Sequence, residues 1–96
     1  MPSTDASVRR DGDALLFSGA LDRPAVALLW SQALPHVGGV SRFDLTQVGH
    51  VDSAGLALLA ELATRAARTV EVTGDPSNLT ELRAAYRLAT DFAFAT

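Results

Sequence analysis

Strand-like stretches that alternate with amphipathic helical stretches predict an α/β fold: a mixed, mostly parallel sheet of about four or five strands with three helices. Two observations carry that reading. Apolar residues recur at helical spacing in three segments, and the first two of these are followed by strand-like runs, one preceded by Gly38-Gly39 and the other ending at Gly74. The resulting order is β-β-α-β-α-β-α, and ninety-six residues make one domain, 1–96, near the small end of what folds alone.

Each element has its own signal. Val8 leads into the turn sequence Asp11-Gly12-Asp13, after which Ala14–Phe17 forms an apolar strand, so residues 8–18 read as a hairpin. Ser18-Gly19-Ala20-Leu21-Asp22 closes that strand, and Pro24 suits the first turn of a helix. Val26, Leu29, Trp30, Ala33, Leu34 and Val37 then fall on one helical face, with Trp30 as an inward anchor. Pro35 ends or kinks this helix, and Gly38-Gly39 stops it. Val40–Val48 is the next strand, with Phe43 and Leu45 on one alternating face. A second helix covers about Ser53–Arg68, and Thr69–Thr73 is a short strand ending at Gly74. Asp75-Pro76 opens a third helix, lined by Leu79, Leu82, Tyr86 and Ala89. The alternating tail Asp91–Thr96 reads as an edge strand.

Composition excludes several function classes. Without cysteine there is no disulfide framework, cysteine metal site or thiol nucleophile. A net charge of −3 with eight scattered arginines argues against electrostatic binding to nucleic acid or anionic membrane. The longest apolar run, Leu56–Ala60, is far too short to span a bilayer, and no signal peptide is visible, so the expected location is the cytoplasm. His50, Asp52 and Ser53 are the residue types of a hydrolase triad, yet they crowd into four consecutive positions, whereas a triad bridges separate segments. His36 stands apart beside a proline, no cluster has metal-ligand spacing, and Gly38-Gly39 precedes a strand where a phosphate loop precedes a helix. No enzymatic activity is expected.

The junction at Asp52-Ser53 carries the functional interest. Both are preferred helix caps, and Ser53 is expected to cap the second helix. A phosphate on Ser53 would meet the free amides of that helix end and add nearly two negative charges beside Asp52. The second helix is apolar over an arc of about 200°, wider than the little more than ~100° that sealing a core requires. Leu56 and Leu58 sit near opposite edges of that arc, which predicts a partner surface beside Ser53.

Asp44-Leu45 followed by Val48, then Val51-Asp52-Ser53-Ala54-Gly55-Leu56, resembles the signature of the STAS domain, the family that contains the bacterial anti-sigma factor antagonists. Phe17-Ser18-Gly19-Ala20-Leu21-Asp22 is similar to the family's second-strand motif ending in Gly-x-Leu-Asp, and the resemblance covers nearly the whole chain. It implies that Ser53 is the phosphorylation and partner-docking position. Regulatory members usually follow that serine with a second serine or threonine, where this chain has Ala54. The short chain, Leu29-Trp30 and the run Asp52–Leu59 also resemble one branch of the family, the small cytoplasmic STAS subunit of the Mla phospholipid-transport ABC system. That resemblance implies a non-enzymatic subunit, peripheral to the inner membrane, that binds the transporter's ATPase and supports its assembly and activity in outer-membrane lipid asymmetry. It implies no cofactor, no metal and no membrane insertion. Partner contacts are expected at Asp52, Ser53, Ala54 and Gly55, with Leu56, Ala57 and Ala60 adding apolar contact. The alternative is an anti-sigma factor antagonist, bound by an anti-sigma factor kinase and switched by phosphorylation at Ser53.

Overall fold

In the computed structural model, which describes residues 6–66 and 70–86, the predicted α/β order is present. Strands β1 (Ser7–Asp11) and β2 (Ala14–Leu21) form the hairpin, and helix α1 (Arg23–Ala33) follows. Strand β3 (Arg42–Val51), helix α2 (Ser53–Ala66), strand β4 (Glu71–Thr73) and helix α3 (Leu79–Tyr86) complete the described chain. The sheet runs in the order β1-β2-β3-β4, antiparallel at the hairpin and parallel at the two later pairings. Gly12, at φ 62°, takes the left-handed conformation that the hairpin turn needs. The tail Asp91–Thr96 and Ala89 lie outside the described residues.

Alternation along the strands sends Leu15, Phe17, Phe43 and Leu45 into one apolar layer with Leu29, Leu59 and Leu62 of the helices. Phe17 meets Phe43 edge to face, with ring centroids 5.5 Å apart at 73°. The guanidinium of Arg10 ties the hairpin to the loop after α1, donating to the carbonyls of Gly12, His36 and Gly38 at 2.7–2.8 Å.

Strand β3 begins later than expected, at Arg42, and runs on to Val51, past the expected end at Val48. The physical reason is a double irregularity. Its pairing with β2 slips between Leu16 and Ser18, and again between Gly19 and Ala20. At the first slip the Asp44 carboxylate accepts both the amide (2.9 Å) and the hydroxyl (2.6 Å) of Thr46, which folds the extra residue into the strand. Those two bonds, chiefly the hydroxyl one, hold the Asp44 carboxyl below its ordinary value, with Arg42 adding a smaller pull against a small opposing effect of burial. The slips restore inward-facing positions at Val48 and Val51, so an apparently broken alternation remains one strand.

Three more details depart from the sequence reading. Helix α1 stops at Ala33, and Leu34–His36 tighten into a 3₁₀ turn around Pro35. That tightening rotates Leu34 out of the apolar stripe and leaves it 36% exposed. Trp30 is half-buried, not a deep anchor, and the Arg65 guanidinium lies 5.3 Å from its ring centroid. Asp75-Pro76 does not open α3. The chain stays extended there, Ser77 bridges to β3 through Gly49 and Val51, and Asn78 turns at φ 77° before the helix begins at Leu79.

Candidate functional site

The junction of β3 with α2 brings together the first turns of two helices. The Asp52 amide donates to the Leu21 carbonyl at the end of β2 (3.1 Å), and the Asp52 carbonyl accepts the Leu56 amide (2.9 Å). Its carboxylate accepts the Gly55 amide through Oδ1 (2.9 Å) and the Arg23 amide of α1 through Oδ2 (3.0 Å). Asp52 is therefore the cap of α2, which corrects the expectation for Ser53. Ser53 occupies the first helical position, is exposed, and makes no hydrogen bond through its hydroxyl among the described residues. A side chain at that position points away from the amides that a cap must reach, so the hydroxyl is left to solvent.

Burial, the largest single influence on Asp52, raises its carboxyl pKa, but the amide hydrogen bonds from Gly55, Arg23 and Ala54 and the nearby His50 together outweigh it. The net result lies below the ordinary value of 3.8. Because the folded-state pKa is the lower of the two, the stabilisation is complete above the ordinary value and is lost as pH falls through the folded one. The difference in melting temperature between wild type and Asp52→Asn is thus expected to persist down to about pH 5 and to shrink below about pH 4. Thermal melts of both proteins across that range check it.

The remaining predicted contact residues divide into two sets. Gly55 is buried because α2 presses on β2: a Cβ there would lie 2.8 Å from the Leu21 carbonyl carbon and closer still to its oxygen. Leu56 and Leu58 are each only 3% exposed and belong to the core, so neither offers its side chain to a partner. The wide apolar arc has a structural cause. Helix α2 packs on the sheet below, on α1 along one flank and on α3 along the other, and three contacts occupy more of its circumference than one. What faces outward is narrower: Ser53 and Ala57 are exposed and Ala54 and Ala60 are half-buried, followed by Glu61, Thr64 and Arg65. His50 is exposed beside this face, whereas His36 lies in the loop after α1.

Sequence reasoning missed the part played by Asp22. It holds the N-cap place of α1 but makes no cap bond, and its Oδ1 is buried without a hydrogen-bond partner. The signal was Pro24: proline at the second helical position has no amide to offer a cap, and the Ala25 amide goes to the Asp22 carbonyl instead (3.0 Å). Among the described residues no group of histidines, cysteines or carboxylates could hold a metal ion, and no helix is long and apolar enough to cross a membrane.

The α/β sheet with one hairpin and two parallel pairings is consistent with a single STAS domain, and the chain belongs to the STAS domain family. The family profile described as "Mlab, STAS domain" matches residues 6–93. Among curated proteins the chain is similar to the intermembrane phospholipid transport system binding protein MlaB of Escherichia coli (strain K12), at 34% identity over 93% of this chain and 95% of that protein. It is similar to the Shigella flexneri protein of the same name at the same identity and coverage.

Proposed function

We propose that this protein is a non-enzymatic STAS subunit of a phospholipid-transport ABC system of the Mla type. It binds the cytoplasmic ATPase subunit, supports assembly and activity of the transporter in maintaining outer-membrane lipid asymmetry, and sits at the inner membrane only through that complex. The observation that carries this reading is the outward face of α2, where Ser53 and Ala57 stand exposed one helical turn apart over an Asp52-capped first turn. Similarity to MlaB over almost its full length supports the choice of partner. On this reading Ser53 and Ala57 touch the ATPase, Ala54 and Ala60 border the contact, and Asp52, Gly55 and Leu56 hold the helix in place beneath it.

Ser53→Glu tests the placement cleanly. A carboxylate in the first turn of a helix is compatible with the helix dipole, so the variant keeps its fold. Its added charge and bulk fall in the contact, and pull-down of the ATPase is expected to drop by about tenfold or more. Undiminished pull-down would remove Ser53 from the interface.

The exposed, unbonded Ser53 hydroxyl also meets the geometric need of a kinase substrate, which favours one second reading: an antagonist of an anti-sigma factor kinase, switched by phosphorylation at Ser53. Incubation with such a kinase and labelled ATP separates the two, since a docking subunit stays unlabelled.

A further inference from the structure

Helices α1 and α2 share the core and the Trp30–Arg65 contact, and Asp52 adds a bond between their first turns. Its two carboxylate oxygens divide the work, Oδ1 holding the Gly55 amide of α2 and Oδ2 the Arg23 amide of α1. Nothing on α1 duplicates the second bond. Asp22 makes no side-chain cap bond, Pro24 has no amide, and the Ala25 amide is taken by the Asp22 carbonyl. Beyond the burial of Ala25, the first turn of α1 is thus held by a side-chain bond from the α2 side, from a residue that lies next to Ser53 in the chain. In that turn and the next, Pro24 and Ala27 are exposed and uncharged.

We infer that Asp52 is a positioning residue for docking: its carboxylate holds the first turn of α1 beside that of α2, so that Pro24 and Ala27 join Ser53 and Ala57 in one two-helix surface for the ATPase. The inference rests on the docking function proposed above. It assigns Asp52 a role through α1 that a helix cap alone does not have.

Asp52→Ser separates the two roles. The serine hydroxyl still caps α2 through a nearby amide, but one short side chain with a single oxygen cannot also serve Arg23. Amide exchange at Arg23 is expected to speed up by about tenfold or more while exchange at Gly55 changes little, and affinity for the ATPase is expected to fall about tenfold. A double-mutant cycle gives the decisive readout. Ala27→Arg should weaken binding about tenfold in the wild-type background and less than about twofold in the Asp52→Ser background, because the start of α1 is no longer held in register with α2 there. Equal effects of Ala27→Arg in both backgrounds, or none in the wild type, would overturn the inference. If Asp52→Ser fails to fold, Asp52→Asn, which keeps the side-chain size with one acceptor oxygen, carries the same cycle. Failure of the docking function itself reads differently: Ser53→Glu would then bind the ATPase as well as wild type does, or wild type would not bind it at all.

Discussion

Replacing Gly55 with alanine is expected to lower the melting temperature by at least about 10 °C. The added Cβ would lie 2.8 Å from the Leu21 carbonyl carbon and 2.9 Å from the Leu21 Cβ. Both atoms belong to the fully buried last residue of β2, so neither can swing aside as the end of a flexible side chain would. Relief requires α2 to lift from the sheet. That movement pulls on the Asp52–Leu21 backbone bond and on the Asp52 carboxylate together, so the cap loosens with the packing. Alanine gains up to about 1 kcal/mol over glycine in helix propensity, against an overpacking cost that must exceed its usual ~1–3 kcal/mol because backbone has to move. The clash wins. Thermal melts followed by circular dichroism check this, and a variant melting within about 2 °C of wild type would show that α2 does not press on β2 as described.

Ala57→Arg is expected to do the opposite, sparing the fold and abolishing docking. Ala57 is exposed on the second turn of α2, four residues after Ser53 and on the same face. Alanine and arginine are both good helix formers, so the melting temperature should move by no more than about 2 °C. At an interface built on small side chains the arginine brings a charge that must lose its water and a chain too long for the space. Affinity for the ATPase is expected to fall by about a hundredfold, as isothermal titration would read it. The pairing of Gly55→Ala with Ala57→Arg separates a residue that supports the surface from one that forms it.

How far the sequence disclosed this arrangement depends on which physical signal each residue carries. The hairpin at Asp11-Gly12-Asp13 and the alternation of Phe43 with Leu45 are local signals, and both elements lie where those signals point. The continuation of β3 to Val51 was not legible, because the irregularities at Thr46 and beyond break the two-residue period that identifies a strand. The extended run through Ser77 depends on pairing with residues far away in sequence, while Asp75-Pro76 locally mimics a helix start.

The site shows the same division. Asp52 and Ser53 are both cap-forming types, and only the position of the Arg23 amide explains why aspartate, with two acceptor oxygens, takes that place and leaves serine outward. The wide apolar arc of α2 signalled contact correctly but not its owner. Leu56 and Leu58 are buried in the core, and the outward face beside Ser53 is made of serine and alanine, residue types that carry little hydrophobic signal. The unpartnered oxygen of Asp22 follows from Pro24, a consequence of sequence that becomes visible only when every amide in that turn is accounted for.

On the proposed function, the outward face of α2 meets the ATPase subunit of a phospholipid transporter. Photo-crosslinking tests it most directly: a benzophenone side chain at position 57, with a second at position 71 on strand β4 as the control, in cells that carry the transporter. A covalent adduct with the ATPase is expected from position 57 and none from position 71. Crosslinking from position 71 alone, or adducts from position 57 only to an anti-sigma factor kinase, would contradict that placement.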